Sequence, residues 1–228
     1  MMLAVKLGLA VSIVSSVFHG HVQAKPVFRR AVDFFNPVDG GGSMLSNAGA
    51  GGGEPLNVIV SGLSSPEVLT DDGFLNFAKA IGFSTECLGV HLGDPQSANL
   101  GDGYGPVNQT VELRQDFGDP NLGTCLESLV VFAVFITRTV LLPTAVLYSL
   151  PFRKKRQDVQ QGHTIVPDGY DIGRDELVTN AVGTTSFGGV TYSTISQTIT
   201  GLLPAGSDGI NHGIAIDGNV VLLTITIQ

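Results

Sequence analysis

The densest set of chemistry-bearing side chains runs from 163 to 176, HTIVPDGYDIGRDE. His163, Asp168, Asp171 and Arg174 stand there with Asp175 and Glu176 behind them. A histidine among carboxylates can move protons as acid and base, or hold a metal ion that activates water. His212, in the pair Asn211-His212, is a further candidate for the same group. The spacing matches no metal-ligand signature, and no GxSxG or HExxH motif occurs anywhere in the chain. The competing reading is architectural: a turn at Pro167-Asp168-Gly169, a helix cap at Asp171 and a surface ion pair from Arg174. That reading is the expectation, with a catalytic role for His163, Asp168, Asp171, Arg174 and His212 as its alternative.

The elements around these residues follow from local pattern. A short helix starting at Asp171 or Gly173 runs through Val182, with Gly183 as its stop. Upstream, 56–60 reads as a buried strand ended by Ser61-Gly62. Thr70 caps a helix with Asp71 and Asp72 in its first turn, and Gly82 closes it. Phe74, Phe77, Ala78 and Ile81 form one apolar stripe on that helix. Further strands are expected at 87–92, 110–113 and 190–200, with a polar loop at 94–106. Asp217-Gly218 between 213–216 and 219–227 predicts a tight hairpin. The fold class is α+β, a small mixed or antiparallel sheet with a few helices.

Composition narrows the function classes. The chain has 228 residues, a formal net charge of −8, only 14% charged residues and 30 glycines. The acidic balance leaves no basic face for phosphates outside 153–156, which argues against a nucleic-acid partner. The glycine run GGGSMLSNAGAGGG at 40–53 has no preceding strand and no following GK[ST], so it is no phosphate cradle. It reads as a flexible linker, and no cofactor is expected. The organisation is a signal peptide at 1–24, a linker at 25–55 and a folded domain at 56–228, interrupted at 129–156.

The amino terminus carries the marks of export. Lys6 supplies a positive start, 7–18 is apolar, and Val22-Gln23-Ala24 offers a small-residue cleavage site. An oxidising compartment favours a disulfide between Cys87 and Cys125, the two cysteines of the chain. Closing a loop of about 38 residues would stabilise the fold by about 3–4 kcal/mol in the chain-entropy model. Asn108-Gln109-Thr110 is an N-glycosylation sequon in a polar, glycine-rich neighbourhood.

Three stretches also carry a likeness: PLNVIVSGLSSPEVLTDDGFLNFAKAIGFSTECLGVHLG, HTIVPDGYDIGRDELV and GLLPAGSDGINHGIAIDGNV. They resemble a group of fungal secreted proteins that is itself similar to the LssY carboxy-terminal domain family. The matching positions are His163, Asp168, Asp171, Arg174, Asp175, Leu177 and Val178. The resemblance covers most of 56–127 and 163–228. It brings no established activity, and it implies an envelope or lipid setting.

The apolar stretch SLVVFAVFITRTVLLPTAVLYSLPFRKKR at 128–156 has two readings. The resemblance implies a soluble segment here, and the neighbouring reading frame of 140–152 is compatible with GPTANSGALFLAV. On that basis 130–156 is out-of-frame text, non-native or helical. The rival is a membrane span, which Arg138 at about 2.5–3.5 kcal/mol, Pro143 and Pro151 all disfavour. Together these features predict a secreted or cell-surface, non-enzymatic module. A single-pass membrane protein and a hydrolase or transferase using 163–174 are the alternatives.

Overall fold

A computed structural model of the chain describes residues 32–47, 52–85, 96–101, 105–115, 132–137, 145–150 and 167–228. The expected signal peptide at 1–24, Cys87, Cys125 and His163 lie outside these residues, as does the strand expected at 87–92. The fold is α+β. Its main sheet is built on two central strands, β1 (Val58–Val60) and β10 (Val220–Ile227), which pair in parallel with Val58 opposite Val221.

On one side of β1 lie β7 (Ala145–Leu150), β6 (Phe132–Thr137), β5 (Val111–Gln115) and β2 (Phe83–Thr85). On the other side of β10 lie β9 (Val190–Ile199) and β8 (Gly183–Phe187). Every pairing except the central one is antiparallel. A separate two-stranded sheet joins β3 (Ser97–Asn99) to β4 (Pro106–Asn108), so the stretch expected as a loop at 94–106 contains a strand.

The two central strands are apolar on both faces because both faces are covered. Val58, Val60, Val221, Leu223 and Ile225 point into one core with Phe74, Phe77, Ala78 and Leu177. Ile59, Val220 and Leu222 point into the other with Met44, Leu56, Tyr170 and Ile214. Period-two alternation thus splits one strand between two cores.

Helix α1 (Asp71–Ala80) forms as its pattern predicts. Thr70 is the cap, its Oγ1 accepting the Gly73 N–H at 3.1 Å, and Asp71 and Asp72 occupy the first turn. The apolar stripe packs edge-on: Phe74 meets Phe77 at 5.9 Å, and Phe77 meets Tyr192 at 5.3 Å between ring centroids. Asn76 fastens the helix to the β8–β9 hairpin, donating to the Tyr192 hydroxyl at 2.6 Å and to the Phe187 carbonyl at 3.2 Å. That hairpin turns on Gly188 and Gly189, at φ 59° and 80°, the two positive angles such a tight connection needs.

Helix α2 (Gly169–Ala181) starts earlier than expected, and Asp171 is not its cap. Asp168 holds the cap position in a left-handed conformation at φ 58° and makes no side-chain cap bond. Asp171 falls inside the first turn, where its carboxylate is engaged elsewhere.

Three other expectations change. The hairpin at Asp217-Gly218 does not form: Gly218 alone of the pair has positive φ, and Ile216 bridges Gly206 instead. The extended partners of β10 come from distant sequence, so a local turn signal is overruled by sheet pairing. The described parts of 130–156 are the strands β6 and β7 rather than helix. β6 is rich in β-branched and aromatic residues, and Pro143 lies between the two strands, a combination that favours extended chain over continuous helix. Among the described residues no helix is long and apolar enough to cross a membrane.

The third change concerns 25–55. Its described residues pack onto the domain: Met44 and Ser46 are buried, and Leu45 bridges Pro55. Here glycine serves close approach rather than flexibility. A Cβ on Gly42 would collide with the Asn99 backbone, and one on Gly40 with that of Gly101.

Candidate functional site

Arg174 is the buried centre of the polar cluster, with only 4% of its surface exposed. Helix geometry sets Asp171 three residues before it on the same face. The Nη1 of Arg174 donates to Asp171 Oδ1 at 3.2 Å, and its Nε donates to Asp175 Oδ1 at 2.9 Å. Across the fold, Nη1 and Nη2 grip Asp217 Oδ1 and Oδ2 at 2.7 and 3.0 Å. This is the two-pronged geometry for which a guanidinium and a carboxylate are matched.

The turn that brings Asp217 in is built around its own carboxylate. The Asn219 N–H donates to Asp217 Oδ1 at 2.8 Å, and Asn219 Nδ2 donates to Oδ2 at 2.8 Å. The Asn219 carbonyl accepts from Arg174 Nη1 at 3.0 Å. The circuit closes where the Asp217 N–H donates to Asp171 Oδ2 at 2.8 Å. The first turn of α2 is thereby latched to the entry of β10.

The two carboxylates titrate in opposite directions. Burial, the largest cause, pushes Asp171 up to about 6; the Asp217 N–H pulls it down, the Asp217 charge pushes it up, and Arg174 pulls it down. Burial also acts to raise Asp217, but its bonds from Arg174 and Asn219 outweigh that and bring it down to about 2. Burial works against the charge on Arg174, while its hydrogen bonds to Asp217 and Asp175 hold it charged and above its ordinary range.

Of the residues singled out in sequence, the structure brings Asp171 and Arg174 together. Asp168 is exposed in the turn before α2. His212 is exposed in the 3-10 turn Asn211–Gly213 at φ 60°. That turn is tied down elsewhere, by Asn211 N–H to the Gly53 carbonyl at 2.8 Å and Asn211 Nδ2 to Glu54 Oε1 at 3.4 Å. Asp217 and Asn219 were missed because Asp-Gly reads as a hairpin turn. Their partner lies 43 positions away for Asp217, beyond any local pattern.

A second polar knot was also missed. Glu54 is buried, and its Oε2 accepts from Gln96 Nε2 at 2.9 Å. The Ser46 hydroxyl donates to Gln96 Oε1 at 3.0 Å and accepts the Glu54 N–H at 3.2 Å. Tyr170 is fully buried nearby. Its carbonyl accepts from Asn57 Nδ2 at 2.9 Å, but its hydroxyl has no hydrogen-bond partner among the described residues. Burial first, then the Glu54 charge, disfavour its ionisation.

Among the described residues no three of His, Cys, Asp and Glu are placed to hold a metal ion. Chemically, the Arg174 cluster is a clamp: each guanidinium nitrogen already meets an internal acceptor. No family model matches the chain, and no curated protein or solved structure matches it either.

Proposed function

We propose that this chain is an exported α+β module that works at or beyond the cell surface without catalysing a reaction. The observation that carries this reading is the saturation of Arg174. Its nitrogens are directed at Asp171, Asp175, Asp217 and the Asn219 carbonyl, so the most distinctive polar cluster is committed to holding two elements together. The amino-terminal pattern at 1–24 supports export. The likeness to secreted fungal proteins similar to the LssY carboxy-terminal domain supports the same setting.

The test is fractionation of a eukaryotic secretory host that expresses the full chain. Material in the medium or released from the surface by salt, with residues 1–24 removed, is the expected result. Retention in the cytosol with Met1 intact would overturn it.

One observation favours an enzymatic second reading. Asp171 is raised to about 6 while Asp217 is lowered to about 2, the separation an acid and base pair requires. Turnover of an ester, phosphoester or glycoside by the wild type, abolished in Asp171→Asn at unchanged Tm, would establish that reading.

A further inference from the structure

The sequon Asn108-Gln109-Thr110 is a sequence motif that the Arg174 clamp leaves unused. Asn108 ends β4 and is exposed, and Thr110 two positions later is exposed as well. Gln109 between them is anchored: its Oε1 accepts the Gln96 N–H at 3.0 Å and its own N–H donates to the Gln96 carbonyl at 2.8 Å. Residues two apart in extended chain face the same side. The amide and hydroxyl that a sequon requires are therefore presented together, while the middle residue fixes the backbone behind them. Neither the Asn108 nor the Thr110 side chain is taken up in a hydrogen bond among the described residues.

The surroundings are suited to a bulky substituent. β4 pairs with β3 alone, Asn108 opposite Ser97, so its other edge has no strand beside it among the described residues. An open edge offers unpaired backbone groups to any passing strand, and natural proteins cover or blunt such edges.

We propose that Asn108 carries an N-linked oligosaccharide, and that this glycan shields the edge of β4 that no described strand pairs with. The inference rests on the exported reading above. In the modification, Asn108 Nδ2 attacks the anomeric carbon of the first sugar of a lipid-diphosphate oligosaccharide. The new carbon–nitrogen bond forms as the bond from that carbon to the diphosphate oxygen breaks. The lipid diphosphate leaves with the electron pair, Nδ2 gives up one proton to a base of the transferase, and nothing is oxidised or reduced.

The experiment uses the full chain in a eukaryotic secretory host, with a control sequon Asn-Gly-Thr appended after Gln228. Because β10 pairs with β1, the appended tail shares the compartment of Asn108. Intact mass before and after peptide-N-glycosidase should report two glycans. Asn108→Gln and Thr110→Ala should each lose one, and Thr110→Ser should retain both. Asn108 is followed by residues 109–228, so its transfer can occur before the chain is finished and does not depend on the stability of the variant. A modified control beside an unmodified Asn108 overturns the proposal while leaving export standing. If neither site is modified, the exported reading falls and the proposal falls with it. Enzymatic removal of the glycan from folded protein should increase light scattering at equal concentration; unchanged scattering would refute the shielding role.

Discussion

Arg174 and Asp217 are 43 positions apart in sequence and joined by two parallel bonds of 2.7 and 3.0 Å. One lies on a helix and the other in the turn that leads into a central strand. Replacing Arg174 by methionine keeps much of the volume but leaves Asp171 and Asp217 without their shared cation. Removing one partner of a hydrogen-bonded charge pair costs more than the pair contributes. Solvent reaches Asp217, so the expected loss is about 2–3 kcal/mol rather than the value for a fully buried pair. Urea unfolding of Arg174→Met against wild type measures it, and a midpoint within error of wild type would remove the clamp from the account.

The pH dependence of stability follows from the two carboxylates. Asp217 has a folded pKa of about 2, below its ordinary 3.8, so its contribution is present above about pH 4 and is lost as pH falls toward 2. Asp171 has a folded pKa of about 6, above its ordinary 3.8, so its contribution is full below about pH 4 and is lost as pH rises through 6. Stability from this pair should peak between those limits. Thermal unfolding from pH 3 to 8 tests it: Asp171→Asn should flatten the decline between about pH 4 and 6. An unaltered profile in that variant would assign the decline to other groups.

Tyr170 offers an unusual substitution. Its hydroxyl is buried with no partner among the described residues, a condition that costs about 1–3 kcal/mol. Tyr170→Phe should therefore hold or raise the Tm, in contrast to most core changes. A clear drop in Tm would mean that the hydroxyl has a partner, such as a buried water, and that its apparent isolation is wrong.

The junction between α1 and the β8–β9 hairpin depends on Asn76. Asn76→Ala leaves the Phe187 carbonyl and the Tyr192 hydroxyl without their shared donor, for an expected loss of about 1–3 kcal/mol. Tyr192→Phe alone should cost less, because Asn76 keeps its bond to Phe187. Equal losses in the two variants would contradict this ranking.

How much of this was legible in sequence depends on the range over which each feature is encoded. Thr70, Asp71, Asp72 and the Phe74–Phe77–Ala78 stripe specify α1 within a dozen residues, and the helix forms as read. Gly188-Gly189 was equally local and went unread, though Gly-Gly between alternating residues is a hairpin signal. Asp217 misled because Asp-Gly satisfies the local rule for a hairpin while its carboxylate is held by a distant arginine. The glycine-rich stretch at 40–53 misled for another reason. Composition cannot distinguish glycine that permits motion from glycine that permits contact, and Gly42 against Asn99 is the latter. Asp171 and Arg174 were singled out separately, one as a helix cap and the other in a surface ion pair, whereas the structure buries Arg174 and joins both to Asp217.

The parallel pairing of β1 with β10 has a consequence for biosynthesis. Ile225 donates its N–H to the Ser64 hydroxyl across 161 positions, and the neighbouring backbone of 61–65 depends on the same strand. While the chain is being synthesised, β1 emerges early with one central neighbour still unmade. A nascent chain halted before residue 220 has both apolar layers open along their middle. Such contacts, distant in sequence, make folding slow and leave partly made chains prone to associate. The same wiring makes the 220–227 segment a checkpoint: premature stop codons upstream of it should yield material that cannot close either core and is degraded.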